Sequence, residues 1–279
     1  MKDDYELLDS GNGRKLERFG RYVLARPCSQ AMWQPELDVG EWARADASFD
    51  REDGNRWHGR GNLPGEWRIE TAGVKFKLGG TDFGHLGIFP EQRAQWKWIR
   101  GRVESASRRL EVLNLFAYSG GSTMAAALGG ASVCHLDASK GMVEWARENA
   151  RINGLQASPI RWIVDDAHKF MRREVRRGRR YDAVILDPPT FGRGAGGEMY
   201  KIERDLKDTL SLVRDLLSDD PAFVLFSSHT PGLSEIVARN ILSQLFPSAR
   251  LESGEMLLEG GSLACPSGIF CRAVFGRQI

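Results

Sequence analysis

The sequence predicts an α/β protein with a seven-stranded, mostly parallel, doubly wound sheet over residues 99–279 and a smaller β-rich accessory domain over residues 1–98. Three observations predict it. From Leu110 onward, short apolar runs alternate with stretches of helical periodicity, and repeated β-α units of that length require a parallel sheet with helices on both faces. The first run leads through Phe116-Ala117-Tyr118-Ser119-Gly120-Gly121, a tight glycine turn, into a helix of small residues. Before residue 99 the pattern differs: six of the eight tryptophans and several two-residue alternations fall there.

In the first part, Gly11-Asn12-Gly13 and Arg51-Glu52-Asp53-Gly54-Asn55 read as loops. Trp67-Arg68-Ile69-Glu70 and Val74-Lys75-Phe76-Lys77-Leu78 alternate like half-buried antiparallel strands, with Ala72-Gly73 as their turn. This part ends near a helix carrying Glu91, Gln95 and Trp98. Leu110–Leu115 is a run of the sort buried on both sheet faces, and Gly121–Leu128 is a short helix. Val133–Leu136 is the second strand. Ser139 caps a helix whose Met142, Trp145, Ala146 and Ala150 form an apolar stripe, and Asn153-Gly154 stops it. Ile160–Val164 and Ala183–Leu186 are the third and fourth strands. A long helix follows, with Ile202, Leu206, Leu210, Val213 and Leu217 on one face; Phe223–Phe226 is the fifth strand. The last helix places Leu233, Ile236, Val237, Ile241 and Leu245 inward, and Ala249–Glu252 and Ile269–Phe275 close the sheet.

Composition excludes several classes. At 27% charged and 42% hydrophobic the chain is ordinary for a globular protein. No run approaches the roughly 18 apolar residues of a membrane span, and the start reads as no signal peptide, so a cytoplasmic protein without a membrane partner is expected. The cysteines Cys28, Cys134, Cys265 and Cys271 lack metal-ligand spacing, so no metal is expected; Cys134 and Cys271 read as buried thiols. A net charge of +2 does not by itself argue for a nucleic-acid partner. Oligomeric state stays open, and a homodimer is compatible with the sequence.

A strand running into a glycine turn and a helix is where a nucleoside-bearing cofactor docks, because both element ends open one crevice. The turn is not Gly-x-Gly-x-x-Gly, so the dinucleotide fingerprint is absent. An acid then ends the second strand (Asp137), an acid pair follows the third (Asp165, Asp166), and Asp187-Pro188-Pro189 follows the fourth. Those landmarks, in that order, resemble the S-adenosylmethionine (SAM)-dependent methyltransferases. Gly120-Gly121 suits a methionyl carboxylate at a helix N-terminus. Asp137 suits a ribose diol, and the Asp166 carboxylate with the Ala167 N–H suits adenine. Each also has a plainer reading: a capping acid at Asp137 or Asp166, and a simple turn at the glycines. Their sequence at successive strand ends favours the cofactor. At Asp187-Pro188-Pro189-Thr190-Phe191 the prolines make the turn rigid, the carboxylate can hold a ring N–H or amine, and Phe191 can stack on a flipped base. The plainer reading makes Phe191 a lid or core residue.

More narrowly, Asn114-Leu115-Phe116-Ala117-Tyr118-Ser119-Gly120-Gly121, Leu136-Asp137-Ala138-Ser139, Asp165-Asp166, Asp187-Pro188-Pro189-x-Phe191 and His85-Leu86-Gly87-Ile88-Phe89 resemble the large-subunit ribosomal RNA methyltransferases of the cytosine-5 and guanine-N7 kind. The resemblance covers roughly residues 70–279. It implies a class I, Rossmann-like methyltransferase fold and a substrate-facing N-terminal domain. The cofactor set it implies is Phe89, Asn114, Phe116, Tyr118, Gly120, Asp137, Ala138, Ser139, Asp166, Ala167 and Asp187, with Asp187, Pro188, Pro189 and Phe191 at the chemistry. Two departures stand out. The cysteine of cytosine-5 members is replaced by Ser228 in Phe226-Ser227-Ser228-His229, so a nitrogen or oxygen acceptor, needing no covalent step, suits the site better. No separate RNA-binding module of the kind many members carry is expected, so RNA contact is expected from the surface present. Arg172, Arg173, Arg176, Arg177, Arg179 and Arg180 read as a phosphate-binding patch or a solvated helix end. Arg14, Lys15, Arg18 and Arg21 can add to a basic surface, and Trp33 or Trp57 can stack bases. A methyltransferase acting on a small molecule or protein side chain, and a SAM-binding module without catalysis, are the alternatives.

Overall fold

The structure is a computed structural model that describes residues 3–51, 53–193, 197 and 199–276; Glu52 of the expected loop lies outside them. The chain divides into two compact units, Met1–Ala94 with Met256–Ser267 and Gln95–Glu255 with Gly268–Ile279.

The first unit carries a five-stranded sheet in the order β1 (Tyr5–Gly11), β2 (Arg14–Phe19), β3 (Tyr22–Pro27), β4 (Ala47–Asp50) and β5 (Arg56–His58), with a short helix, α1 (Val39–Ala43), between β3 and β4. A separate antiparallel hairpin joins β6 (Trp67–Thr71) to β7 (Val74–Leu78). Its turn residues Ala72 and Gly73 both have positive φ, 52° and 73°, as a two-residue turn matched to strand twist needs. Leu7, Phe19, Leu24, Phe49 and Phe76 fill the core. The buried Glu17 carboxylate is held by the Tyr5 hydroxyl at 2.9 Å, Arg26 at 2.7 Å and Lys15 at 3.3 Å. Lys15 is therefore committed to the buried Glu17, while Arg18 pairs with Glu6 at the surface and stays partly exposed. Gly260, from the late segment of this unit, lies against β1: a Cβ there would sit 2.3 Å from the Leu7 carbonyl oxygen.

The boundary between the units falls within the first turn of α2 (Arg93–Glu104), and the 3₁₀ turn before it, Pro90–Gln92, takes Glu91 out of the expected helix. The second unit then alternates β8 (Glu111–Leu115), α3 (Gly121–Leu128), β9 (Ser132–Asp137), α4 (Lys140–Ile152), β10 (Ile160–Val164), α5 (Ala167–Arg176) and β11 (Ala183–Leu186). A small hairpin, β12 (Phe191–Arg193) with β13 (Met199–Lys201), precedes α6 (Ile202–Leu216), β14 (Phe223–Ser228), α7 (Glu235–Leu245), β15 (Arg250–Leu258) and β16 (Cys265–Val274). The sheet has seven strands in the order β10-β9-β8-β11-β14-β16-β15. Strands β10, β9, β8, β11 and β14 run parallel, and β16 is antiparallel to β14. The chain starts at β8, moves outward to β10, then crosses back to β11. The switch point between β8 and β11 opens a crevice at the carboxyl ends of the strands. At the opposite edge, Arg108 clamps Asp182 with two bonds of 2.6 and 2.8 Å.

Two helix faces depart from expectation. On α4 the buried positions are Val143, Ala146, Asn149 and Ala150, not a stripe through Met142 and Trp145. Asn149 goes inward because its amide donates to the Ser119 carbonyl at 2.8 Å. On α7 only Ala238 and Leu242 are buried, while Ile236 and Val237 are 63% and 41% exposed. Ala238 and Leu242 lie four residues apart on one face, so apolarity alone misplaces the face.

Candidate active site

The loop from β8 to α3 is bent sharply. Phe116 and Tyr118 have φ of 54° and 50°, and Gly120 has φ of 88°. The left-handed region costs a residue with a Cβ roughly 1–2 kcal/mol, so the surroundings must hold the loop. Ala117 N donates to the Leu136 carbonyl at 3.0 Å, and Tyr118 N to Asp137 Oδ2 at 2.8 Å. Beneath the loop a buried chain of polar groups runs from Asn114 Nδ2 to Thr123 Oγ1 (2.9 Å) and on to His135 Nδ1 (2.9 Å). Burial pulls the His135 imidazole down to about 3, so it is neutral there. Asn114 is thus a support of the loop from below, with its amide committed to Thr123. Thr123→Val is expected to destabilise the second unit by about 1–3 kcal/mol for each group left unsatisfied. Calorimetric melting checks this, and an unchanged midpoint would remove the network from the account of the loop.

Asp137 ends β9, next to β8. Its second oxygen, Oδ1, accepts from Ser139 N at 2.8 Å, and Ser139 caps α4 through the Met142 N–H. Burial raises the Asp137 carboxyl above the usual carboxylate range, opposed by the Ser139 and Tyr118 N–H groups. A carboxylate has about four acceptor sites, so two bonds leave capacity for a diol. Asp166 is the N-cap of α5, accepting from Lys169 N at 2.9 Å, while Asp165 accepts from Asp166 N and pairs with Arg173. The capping reading of Asp166 is therefore realised. It is compatible with a second role, because Ala167 begins a helix whose first-turn N–H groups have no intrahelical acceptor.

Across the switch point, Asp187 follows β11 and Pro188 is buried behind it. Phe191 stands 59% exposed on β12, neither a core residue nor covered, with Lys201 Nζ 5.5 Å from its ring centroid. Phe116 packs against Tyr200 of β13 at 5.3 Å, which ties the glycine loop to the hairpin bearing Phe191. His229 Nδ1 lies 3.5 Å from Asp187 Oδ1, and the Thr190 and Thr230 hydroxyls are 2.9 Å apart. Sequence reasoning missed this His229–Asp187 pairing. The signal was the adjacency of β11 and β14, which places the residues after both strands together. Ser228 is buried, and its hydroxyl accepts from Thr230 N at 3.2 Å. Cys134 and Cys271 are buried thiols pushed up to about 11 by desolvation, so neither serves as a nucleophile.

Of the six clustered arginines, Arg173 pairs with Asp165 and Arg177 with Glu174. Arg172, Arg176, Arg179 and Arg180 are exposed. Because α5 returns from the carboxyl end of β10 to the start of β11, its basic end lies at the sheet edge away from the crevice. The Trp33 and Trp57 indole N–H groups are spent on the Ser10 and Thr81 carbonyls, and both rings are partly buried. Phe89 belongs to the first unit, where it caps the 3₁₀ turn and meets the His85 ring at 5.6 Å.

Acids at two successive strand ends, a glycine turn at a helix N-terminus and an acid-proline corner across the switch point stand together on the carboxyl rim of the sheet. The S-adenosylmethionine-dependent methyltransferase family matches residues 46–230. The chain belongs to that family. A SAM-dependent methyltransferase from Agrobacterium tumefaciens superposes with a TM-score of 0.93 at 38% identity, covering 97% of this chain and 90% of that one. The chain is 32% identical over 181 residues to ribosomal RNA large subunit methyltransferase K/L of Shewanella frigidimarina, 61% of this chain and 24% of that protein. It is 32% identical over 187 residues to ribosomal RNA large subunit methyltransferase I of Aeromonas salmonicida, 67% of this chain and 45% of that protein. The chain thus spans less than half the length of both curated relatives. No helix among the described residues is long and apolar enough to cross a membrane.

Proposed function

We propose that this chain methylates a base of RNA, ribosomal RNA in the first instance, in the cytoplasm. SAM supplies an electrophilic methyl group for in-line displacement. Asp137 would hold the ribose diol, Asp166 with the Ala167 N–H the adenine, and the Gly120 turn the methionyl end. Ala138 and Ser139 continue the Asp137 strand end, Phe116 and Tyr118 shape the turn, and Asn114 supports it. Phe89 is included on its motif alone. Asp187 would fix the acceptor's ring N–H or amine, Pro188 and Pro189 would keep that carboxylate in place, and Phe191 would stack on the base.

The observation that carries the reading is Phe191: a large aromatic ring left 59% exposed beside a rigid acidic corner. Such a platform suits a planar acceptor lifted out of its stack. The names of the curated relatives point the same way. With Ser228 at the end of β14, where cytosine-5 members carry their cysteine, a nitrogen or oxygen acceptor fits better than pyrimidine carbon. Transfer of tritiated methyl groups to RNA from a strain lacking this gene tests the proposal. Label in RNA supports it; label only in protein or small molecules overturns it.

Charge near Phe191 should matter more than the arginine cluster. Lys201→Ala is expected to weaken RNA binding several-fold and to reduce the salt slope by about one. Replacing Arg172, Arg176, Arg179 and Arg180 by alanine should leave turnover within about twofold, since they sit at the far sheet edge. Binding isotherms across a salt series check both.

A further inference from the structure

Cys28 and Cys265 bring their sulfurs to 3.2 Å from each other within the first unit, although 237 positions separate them in sequence. Cys28 follows β3 and is partly exposed, while Cys265 opens β16 and is buried. Neither belongs to the proposed methyl-transfer site. We propose that this pair is an oxidation site, which hydrogen peroxide converts to an intrachain disulfide with Cys28 as the attacking sulfur and Cys265 as the resolving one.

The surroundings assign those roles. A hydrogen bond from the Cys265 thiol, opposed by burial and helped by the Lys15 ammonium and the Gln30 and Ala31 N–H groups, brings the Cys28 thiol down to about 6. That shift favours the Cys28 thiolate, the form that attacks peroxides. Cys265 keeps its proton, since the neighbouring Cys28 and burial both push its thiol up. In the first step the Cys28 thiolate attacks one peroxide oxygen and the O–O bond breaks. Hydroxide leaves, is protonated to water, and Cys28 becomes a sulfenic acid. In the second step the Cys265 sulfur attacks the Cys28 sulfur and the S–O bond breaks. The hydroxyl group departs as a second water with the Cys265 proton. Two thiols lose two electrons, and the peroxide takes them. The sulfurs need approach by only about 1.2 Å to reach the roughly 2.05 Å of a disulfide. The product would tie the Met256–Ser267 segment covalently to the end of β3.

The test treats the full chain with a small excess of hydrogen peroxide, then alkylates under denaturing conditions and maps peptides. The expected result is a fall from four titratable thiols to two, a Cys28–Cys265 linked peptide, and full recovery with dithiothreitol. Cys265→Ser should stop at a dimedone-reactive sulfenic acid on Cys28. Cys28→Ser should slow peroxide consumption at least tenfold while leaving SAM affinity unchanged. Cys134→Ser should still form the bond. Four surviving thiols, linkage between chains, or a disulfide involving Cys134 or Cys271 would overturn the proposal. Because the wild-type map decides this, a variant that fails to fold does not shelter it.

Discussion

Asp137→Ala is expected to lower SAM affinity by about 10²–10⁴-fold. Two ribose hydroxyls donating to a carboxylate contribute roughly 1.5–3 kcal/mol each, and every 1.4 kcal/mol is about tenfold. The substitution also removes the acceptor of Tyr118 N and Ser139 N, so the glycine turn loses the anchor that offsets its left-handed residues. Asp137→Asn, which keeps one oxygen, should fall between alanine and the native residue. Calorimetric titration reads all three, and an alanine variant with native affinity would remove the ribose assignment. Acid should act in the same direction. The diol needs the ionised carboxylate, so affinity is full above the Asp137 pKa and lost as pH falls through it. Because burial raises that pKa, the decline begins at a higher pH than for an exposed aspartate. Stability responds with the opposite sign through this group. Ionised Asp137 opposes folding above its raised pKa, and protonation relieves the cost.

Asp187→Ala should lower kcat by about 10²–10⁴-fold, the range for a group that holds or accepts the acceptor's proton. Its effect on SAM affinity should be much smaller than that of Asp137→Ala, because the carboxylate lies across the switch point from β9. If cofactor affinity fell as far as kcat, Asp187 would instead belong to the cofactor. His229→Gln should give a milder loss of kcat and a changed pH profile, since His229 faces the Asp187 carboxylate at 3.5 Å. Single-turnover methyl transfer at saturating SAM separates these cases.

The five parallel strands and most helix bounds of the second unit were legible because each is a local property, whereas the closing strands, read as Ala249–Glu252 and Ile269–Phe275, run over Arg250–Leu258 and Cys265–Val274. Ile160–Val164 and Ala183–Leu186 have the bounds their composition implies, and Ser139 caps α4 where a helix start was read. The acids could be ranked by strand order alone, since a parallel sheet puts every strand end on one rim. Helix faces were less legible: on α7 the buried residues are Ala238 and Leu242, one turn apart, while Ile236 and Val237 fall on the exposed side. The arginine cluster read as either a phosphate-binding patch or a solvated helix end, and the direction of α5 carries its basic end to the rim away from the crevice.

Local pattern, read without coordinates, was enough for the alternating architecture, the turn after the first strand, the acids that follow it and the class of chemistry they serve. Three-dimensional packing alone decided that Asn114 works beneath the loop, that His229 meets Asp187, and that Cys28 lies against Cys265. The physical reason is range. Periodicity and capping are written within a few neighbouring residues, whereas a pairing between distant chain segments depends on strand order, helix direction and the volume of whatever lies between them.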